Sequence, residues 1–418
     1  MHFLWYNLSR GVTMTKIERL DHQGRGIAYI DDKITFVENA LPGEEVLIKI
    51  TNSKKKYNEG IVQKYIQKSE KRVDNVCPFY ESCGGCNILH MSYNDQLEYK
   101  ENKIKDIMKK YANIDKISKI IKCDKQFNYR NKVTLKVENN IIGYYEKKSY
   151  NLVNIDKCLI IDNEFNKIIN DLKRFNLDNI YELMIRNVDS DNTALTLYLQ
   201  KDTNCIQIDE YCKKNNIILN KIIKNKDFKC NEKSKIIGKL GNFKFIISPL
   251  SFFQVNTDQT IKLYDKILEL LEPNKDDNLL DLYCGTGTIG IYVANKVNKV
   301  LGVEIVKDAI HDANINKKIN NVNNINFICG NTEKIIKDVK EKYNAIIVDP
   351  PRAGLTESII RDIFRINPDK IVYVSCDPIT LARDLKLLQE KYEVLDVVPV
   401  DMFPNTYHVE TVCKLKKI

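Results

Sequence analysis

The sequence predicts an α/β protein: a doubly wound, mostly parallel sheet in its C-terminal part, preceded by a small β-barrel of about five strands and a mixed middle region. Three observations carry that prediction. From Thr257 onward apolar runs alternate with helical stretches, the pattern of strands covered on both faces by crossover helices. From Thr15 to about Ile66 short β-type runs alternate with turn signals. Between these regions the cysteines from Cys77 to Cys86 interrupt the regularity. A chain of 418 residues is long enough for two or three domains with sizeable cores.

Met1 to Val12 has aromatics but no basic region before an apolar stretch, so it does not read as a signal peptide. The first 13 residues are expected to be an unstructured extension. The barrel is expected over 14–71, where Gly24 to Gly26, Asp31 Asp32 and Pro42 Gly43 punctuate runs such as Val46 to Ile50. Tyr93 to Tyr111 has helical spacing through Leu97, Ile104, Ile107, Met108 and Tyr111. From Phe127 to about Ser248 strands dominate, with helical stretches near Asn163 to Phe175 and Ile206 to Asn215. The runs Leu279 to Leu282, Val300 to Val303, Asn326 to Ile328, Ala345 to Val348 and Ile371 to Val374 are the expected parallel strands. Val394 to Val400 and Val409 to Leu415 lack an intervening helix and predict an antiparallel addition at one edge.

Lys and Arg number 65 against 56 Asp and Glu, a net charge of +9. Its placement matters more than its size: Leu47 to Arg72 holds eight basic residues and two acidic ones, and Lys103 to Lys125 has eight lysines. Both stretches suit a phosphate backbone, and both also suit a solvated surface. No run approaches the roughly 18 apolar residues of a membrane span. Twelve cysteines without an export signal imply reduced thiols, ligands or catalysts, and a cytoplasmic protein is expected, with no membrane and no obligate protein partner.

Asp281 to Gly290, DLYCGTGTIG, follows the first strand of the sheet and opens a helix. Glycines there allow close backbone approach to a ligand, and Glu304, closing the next strand, can accept both ribose hydroxyls. Asp281 and the Tyr283 Cys284 pair crowd the start of a dinucleotide fingerprint, so a nucleoside cofactor without pyrophosphate, S-adenosylmethionine, fits better than NAD. Asp349 Pro350 Pro351 Arg352 ends the fourth strand; two prolines stiffen the turn, Asp349 can bind cofactor or a base edge, and Arg352 can meet phosphate or developing negative charge. Cys376, in Ser375 Cys376 Asp377 Pro378, ends the fifth strand in a polar turn that a core thiol does not need, which favours a nucleophile. Glu410 acts as a base only if the fold brings it to Cys376. Cys77, Cys83 and Cys86, with Gly84 Gly85 between the last two, suit a metal or an iron-sulfur cluster, zinc being the rival. Spacing does not choose a fourth ligand among Cys123, Cys158, Cys205, Cys212 and Cys230.

With these residues assembled, the chain resembles the RNA uracil C5 methyltransferase family, most closely its 23S ribosomal RNA (uracil-5-)-methyltransferases. The resemblance covers nearly everything after Met14 and is carried by Cys83 Gly84 Gly85 Cys86, Ser251 to Asn256, Asp349 to Arg352 and Ser375 to Pro378. It implies a TRAM (OB-like) barrel over 14–71, a central iron-sulfur and RNA-binding domain over 72–92 and 123–250, and a methyltransferase domain over 93–122 and 251–418. It implies Cys158 as the fourth ligand of a [4Fe-4S] cluster, and Gln254, Tyr283, Glu304, Asn331 and Asp349 as S-adenosylmethionine contacts. Cys376 then stands as nucleophile and Glu410 as base, and Arg130 falls in a stretch similar to one that meets RNA. Thr288 stands where many members have Asn. The implied activity is methylation of a uridine in 23S ribosomal RNA at C5 through a cysteine adduct at C6. Two alternatives stand beside it: the same chemistry on a uridine of a transfer RNA loop, and a non-catalytic, cluster-bearing RNA-binding protein.

Overall fold

The computed structural model describes residues 12–188, 193–228 and 230–418. The expected leader, 1–13, lies outside the described residues except for Val12 and Thr13, which open the first strand. The chain forms two compact units: one of residues up to 103 with 145–151 and 403–407, the other of 104–144, 152–402 and 408–418.

In the first unit, strands β1 (Val12–Lys16), β2 (Arg19–Leu20), β3 (Gly26–Ile30), β4 (Lys33–Glu38), β5 (Glu45–Ser53) and β6 (Tyr57–Gln67) form one sheet in the order β1-β5-β6-β4-β3-β2. Six strands stand where about five are expected; the extra one is the two-residue β2, too short to leave an alternating pattern. In β5 Val46 and Ile48 are fully buried with Ala28 and Val37, while Leu47 and Lys49 are not, and β5 pairs with β6 through three register shifts. The cysteine segment has no strand or helix. Turns hold it, with Tyr80 N donating to Cys77 O and Cys83 N to Phe79 O, and Gly84 N donating to Tyr145 O.

Helix α1 (Tyr93–Ala112) continues into the second unit. Of the apolar stripe read from the sequence, Ile104, Ile107 and Met108 are fully buried there, whereas Tyr111 is exposed. The strands β7 (Lys132–Glu138), β8 (Ile141–Tyr145) and β9 (Leu152–Asn154), helix α2 (Asn163–Leu172), strands β10 (Ile180–Asn187) and β11 (Thr193–Leu199), helix α3 (Ile206–Lys214) and strand β12 (Ile218–Ile223) give a six-stranded sheet ordered β12-β11-β10-β7-β8-β9. A hairpin of β13 (Ile236–Leu240) and β14 (Phe243–Ile247) follows.

From helix α4 (Thr257–Leu271) the order is β15 (Asn278–Leu282), α5 (Thr288–Ala294), β16 (Lys299–Glu304), α6 (Lys307–Ile319), β17 (Ile325–Cys329), α7 (Thr332–Asp338), β18 (Ala345–Val348), α8 (Glu357–Ile366), β19 (Lys370–Ser375), α9 (Pro378–Leu388), β20 (Tyr392–Val400) and β21 (Glu410–Lys417). They build a seven-stranded sheet ordered β17-β16-β15-β18-β19-β21-β20. The five expected parallel strands are β15 to β19. The last two runs are the antiparallel pair, β21 lying against β19 and β20 against β21. Strand order reverses between β15 and β18, and a crevice outside the carboxyl ends is where such sheets bind ligands. Both faces of the sheet are apolar: Leu280, Leu282, Ile346, Val348, Ile371 and Tyr373 are completely buried on one, and Leu279, Ile347, Val372 and Val374 on the other.

Candidate active site at the carboxyl edge of the sheet

Every sequence-predicted catalytic and cofactor-binding residue belongs to the second unit. β15 ends at Leu282, and the chain turns through Tyr283 and Gly285 with φ of 65° and 54° before entering α5. A side chain on Gly285 meets nothing within 4 Å, so the turn leaves open space beside its backbone. Gly285 N donates to the Glu304 carboxylate at the end of β16 (3.2 Å), and Val306 N donates to its other oxygen (2.9 Å). Glu304 is thereby aimed at that space. Gly330 N donates to Glu304 O, and the exposed Asn331 next along the chain caps α7. Glycine turn, carboxylate and capping amide thus follow three adjacent strands, and the opening fits a nucleoside cofactor. Thr288 Oγ1 shares a hydrogen bond with Tyr264 at 2.7 Å.

Asp281 is fully buried, and neither carboxylate oxygen has a hydrogen-bond partner; the Gly290 amide lies near it but outside hydrogen-bond geometry. Burial pushes its carboxyl up to about 8, the Asp349 carboxylate adding to the effect. Asp349 follows β18 and is tied back by its amide to Leu282 O (3.3 Å). Desolvation pushes it up to about 7, although the side chain keeps some access to solvent. Pro351 and Arg352 are exposed.

β19 and β21 run antiparallel with Ser375 opposite Thr411. The next residue out along each strand is Cys376 on one and Glu410 on the other. Glu410 is 5% exposed. Burial pushes its carboxyl up to about 8, Asp349 adding and the Arg352 guanidinium opposing. Burial pushes the Cys376 thiol up to about 11, with Glu410 and Asp349 adding and Arg352 opposing. The turn after Cys376 is set by Ser375, whose hydroxyl accepts from Asp377 N, and by Asp377, which caps α9 by accepting from Ile379 N and Thr380 N. A half-exposed thiol, a buried protonatable carboxylate and a second carboxylate on a rigid turn can perform addition to an electrophilic ring carbon and proton removal from it.

Gln254 is buried, and its segment is held by groups the sequence reading did not single out. Asp312 of α6, fully buried, accepts from Ser248 N (2.9 Å), Ser248 Oγ (2.8 Å) and Ser251 Oγ (2.9 Å) and pairs with Lys235 (3.4 Å). The buried Arg186 of β10 donates to Ser248 O and Ser251 O. The Asn131 side-chain amide donates to Gln254 O, its backbone N donates to Val255 O, and its carbonyl accepts from Asn187 N. Asp312 shares a buried helix face with Ala309, Ala313 and Asn316, a spacing visible in the sequence once α6 is placed. Arg130 lines a separate pocket of about 300 Å³ with Asn131, Asn187, Asn256 and Thr257.

Cys77, Cys83 and Cys86 lie in the first unit and Cys158 in the second. Gly85 N donates to Cys83 Sγ at 3.3 Å, the kind of amide contact a cluster thiolate uses. Soft thiols with an amide on sulfur fit an iron-sulfur group by donor chemistry. Among the described residues, however, no group of three or more His, Cys, Asp or Glu is gathered to hold a metal ion. Among those residues, too, no helix is long and apolar enough to cross a membrane.

Comparison with known proteins converges on one family. Residues 178–418 match the family described as tRNA (Uracil-5-)-methyltransferase, and residues 13–62 match the TRAM domain. An uncharacterized RNA methyltransferase of Clostridium tetani is 38% identical over 93% of both chains, and one of Clostridium acetobutylicum 37% identical over 96% of both. The crystal structure of a Pyrococcus abyssi tRNA (uracil-54, C5)-methyltransferase in complex with S-adenosyl-L-homocysteine is similar with a TM-score of 0.80 and 29% identity, covering 96% of this chain and 99% of that one.

Proposed function

Since the chain belongs to the RNA (uracil-5-)-methyltransferase family, we propose that it methylates C5 of a uridine in 23S ribosomal RNA, with Cys376 as nucleophile and Glu410 as base. The reading rests on one observation above others: the β19–β21 register that ends with Ser375 opposite Thr411, so that thiol and carboxylate come next.

Uracil C5 is too weak a carbon nucleophile to take a methyl group unaided. Cys376, partly accessible to solvent, gives up its proton to water, leaving Glu410 ionised, and its Sγ bonds to C6; the ring pair moves through C5 toward O4. Arg352, the one cation that opposes the high pKa of both Cys376 and Glu410, favours the charged forms and faces the developing anion. S-adenosylmethionine, when bound, supplies a methyl group on a sulfonium, an electrophile for C5. Glu410, unprotonated, then removes the C5 proton, the C5–C6 double bond re-forms and Sγ leaves. Gln254, Tyr283, Glu304, Asn331 and Asp349 are the residues proposed to hold the cofactor; the open space beside Gly285 and the orientation of Glu304 support this.

For the cysteine segment the reading is a [4Fe-4S] cluster held by Cys77, Cys83, Cys86 and Cys158, supported by the amide contact on Cys83 and by the soft donor set. It would order the RNA-gripping parts of a cytoplasmic enzyme, and no step of a redox-neutral methyl transfer runs through it. Anaerobically purified protein should carry iron, and Cys83→Ser should lose it.

A transfer RNA substrate is the second reading, favoured by the similarity to a tRNA (uracil-54, C5)-methyltransferase. Because that similarity spans 96% of this chain, the barrel does not discriminate between the two RNAs. Tritium release from RNA labelled at uracil C5, measured with unmodified ribosomal and transfer RNA, separates them. Release matched by methyl incorporation on one RNA identifies the substrate; incorporation without release overturns C5 chemistry.

A further inference from the structure

Helix α9 begins beside the nucleophile and, one turn later, reaches the loop that carries Arg352. Thr380 Oγ1 donates to Arg352 O at 3.0 Å. Arg383 donates to Ala353 O (2.8 Å) and Leu355 O (3.0 Å). Asp384, fully buried, accepts from Leu355 N (2.7 Å) and from the Tyr373 hydroxyl of β19 (2.7 Å), and its other oxygen pairs with Arg383. Gly354 sits under this contact with a φ of 74°. A Cβ there would lie 2.4 Å from Asp384 Oδ2 and 2.8 Å from the Arg383 guanidinium, so only glycine admits so close an approach. Four consecutive residues, 352–355, are therefore fixed by one helix whose first turn is capped by Asp377, the neighbour of Cys376. A surface connection would not need a buried carboxylate, a guanidinium bound to two carbonyls and an obligatory glycine.

We propose that Thr380, Arg383 and Asp384 form a clamp that positions Arg352 against the Cys376–Glu410 pair, so that α9 transmits one fixed geometry to both the nucleophile and the cation that favours its thiolate. The proposal rests on the assignment of Cys376 as nucleophile and deepens it. The three are positioning residues: none touches the reacting atoms. The charged groups facing Cys376 are Glu410 from β21, Asp349 and Arg352 from the loop after β18, and Asp377 in its own turn. Arg352 alone among them lowers the thiol's pKa, and it is exposed in the loop between β18 and α8.

The test is the rate of Cys376 alkylation by iodoacetamide as a function of pH, read on the Cys376 peptide by mass spectrometry in the full-length protein. Arg352→Gln sets the effect of losing the cation. Thr380→Val and Arg383→Gln are expected to slow alkylation at pH 8 by about threefold, the consequence of a half-unit rise in the thiol pKa, and Thr380→Ser to restore the wild-type rate. Thr380→Val is nearly isosteric in the first turn of the helix, so the test stands even if Asp384→Asn fails to fold. Unchanged alkylation in Thr380→Val and Arg383→Gln, whether or not the melting temperature falls, overturns the clamp and leaves only a structural contact; unchanged alkylation in Arg352→Gln overturns it as well. The readout needs neither RNA nor methyl donor. If the clamp holds but no RNA is methylated, the functional reading fails and the clamp survives.

Discussion

The carboxyl edge of the seven-stranded sheet and the segment 248–256 bury charge in opposite ways. In the segment, Asp312 is saturated: an amide, two hydroxyls and a lysine surround its two oxygens. At the edge, Asp281 has no partner for either oxygen, and Glu410, Asp349 and Cys376 are all pushed toward their neutral forms by burial. A saturated buried carboxylate fixes backbone. An unsaturated one holds or yields a proton readily, because its charge is costly until a ligand or a reaction supplies a partner. The segment is scaffold and the edge is poised chemistry, within one unit.

The sharpest way to break this contrast is at the thiol. Cys376→Ala should abolish methyl transfer, a loss of roughly 10⁴-fold or more since no other group forms the adduct, while thermal unfolding stays near wild type. Retained turnover removes Cys376 from the chemistry. Glu410→Gln comes next, with a loss of about 10²- to 10⁴-fold expected for a general base and a covalent enzyme–RNA adduct accumulating on a gel, because C5 is methylated but keeps its proton. The base must be unprotonated, so wild-type turnover should rise with pH through about 8, where burial places Glu410; the Gln variant should lose that limb. Loss of activity without adduct would put Glu410 ahead of methyl transfer instead.

On the scaffold side, Asp312→Ala leaves Ser248 and Ser251 without their acceptor and Lys235 with Glu232 alone. Breaking such a buried network should cost about 3 to 5 kcal/mol, read as a lower urea midpoint, with Cys376 alkylation unchanged in the folded fraction. A neutral effect would mean that the segment stands without its anchor.

The two regions also differed in what could be read beforehand. Asp349 and Cys376 follow parallel strands, and strands of four to eight apolar residues separated by helices are visible as runs, so order along the chain predicted that they share one edge; Glu410 opens the antiparallel β21 and reaches that edge only through its register with β19. Asp312 and Asp384 were not legible, because a carboxylate inside a helix reads as solvent-facing unless the helix is placed and its face counted. Asp384 does fall in step with Leu381 and Leu388, so the periodicity held the signal. In the cysteine segment turns rather than strand register hold the chain, so spacing could not choose a fourth ligand for the proposed cluster. β2, two residues long, was below what alternation can reveal.

The unsaturated carboxylates are also testable as a stability term. Asp281 moves from an ordinary carboxyl of 3.8 when unfolded to about 8 when folded, so the folded state binds the extra proton between those limits. Stability from this group is fully present below about 4 and is lost as pH rises toward 8, and Asp349 and Glu410 act with the same sign. The slope contributed by each is at most about 1.4 kcal/mol per pH unit. Ligand-free wild type should therefore melt at a lower temperature at pH 8 than at pH 5, and Asp281→Asn should flatten that dependence and exceed wild type at pH 8. An unchanged pH dependence in Asp281→Asn would remove the unpartnered carboxylate as its source.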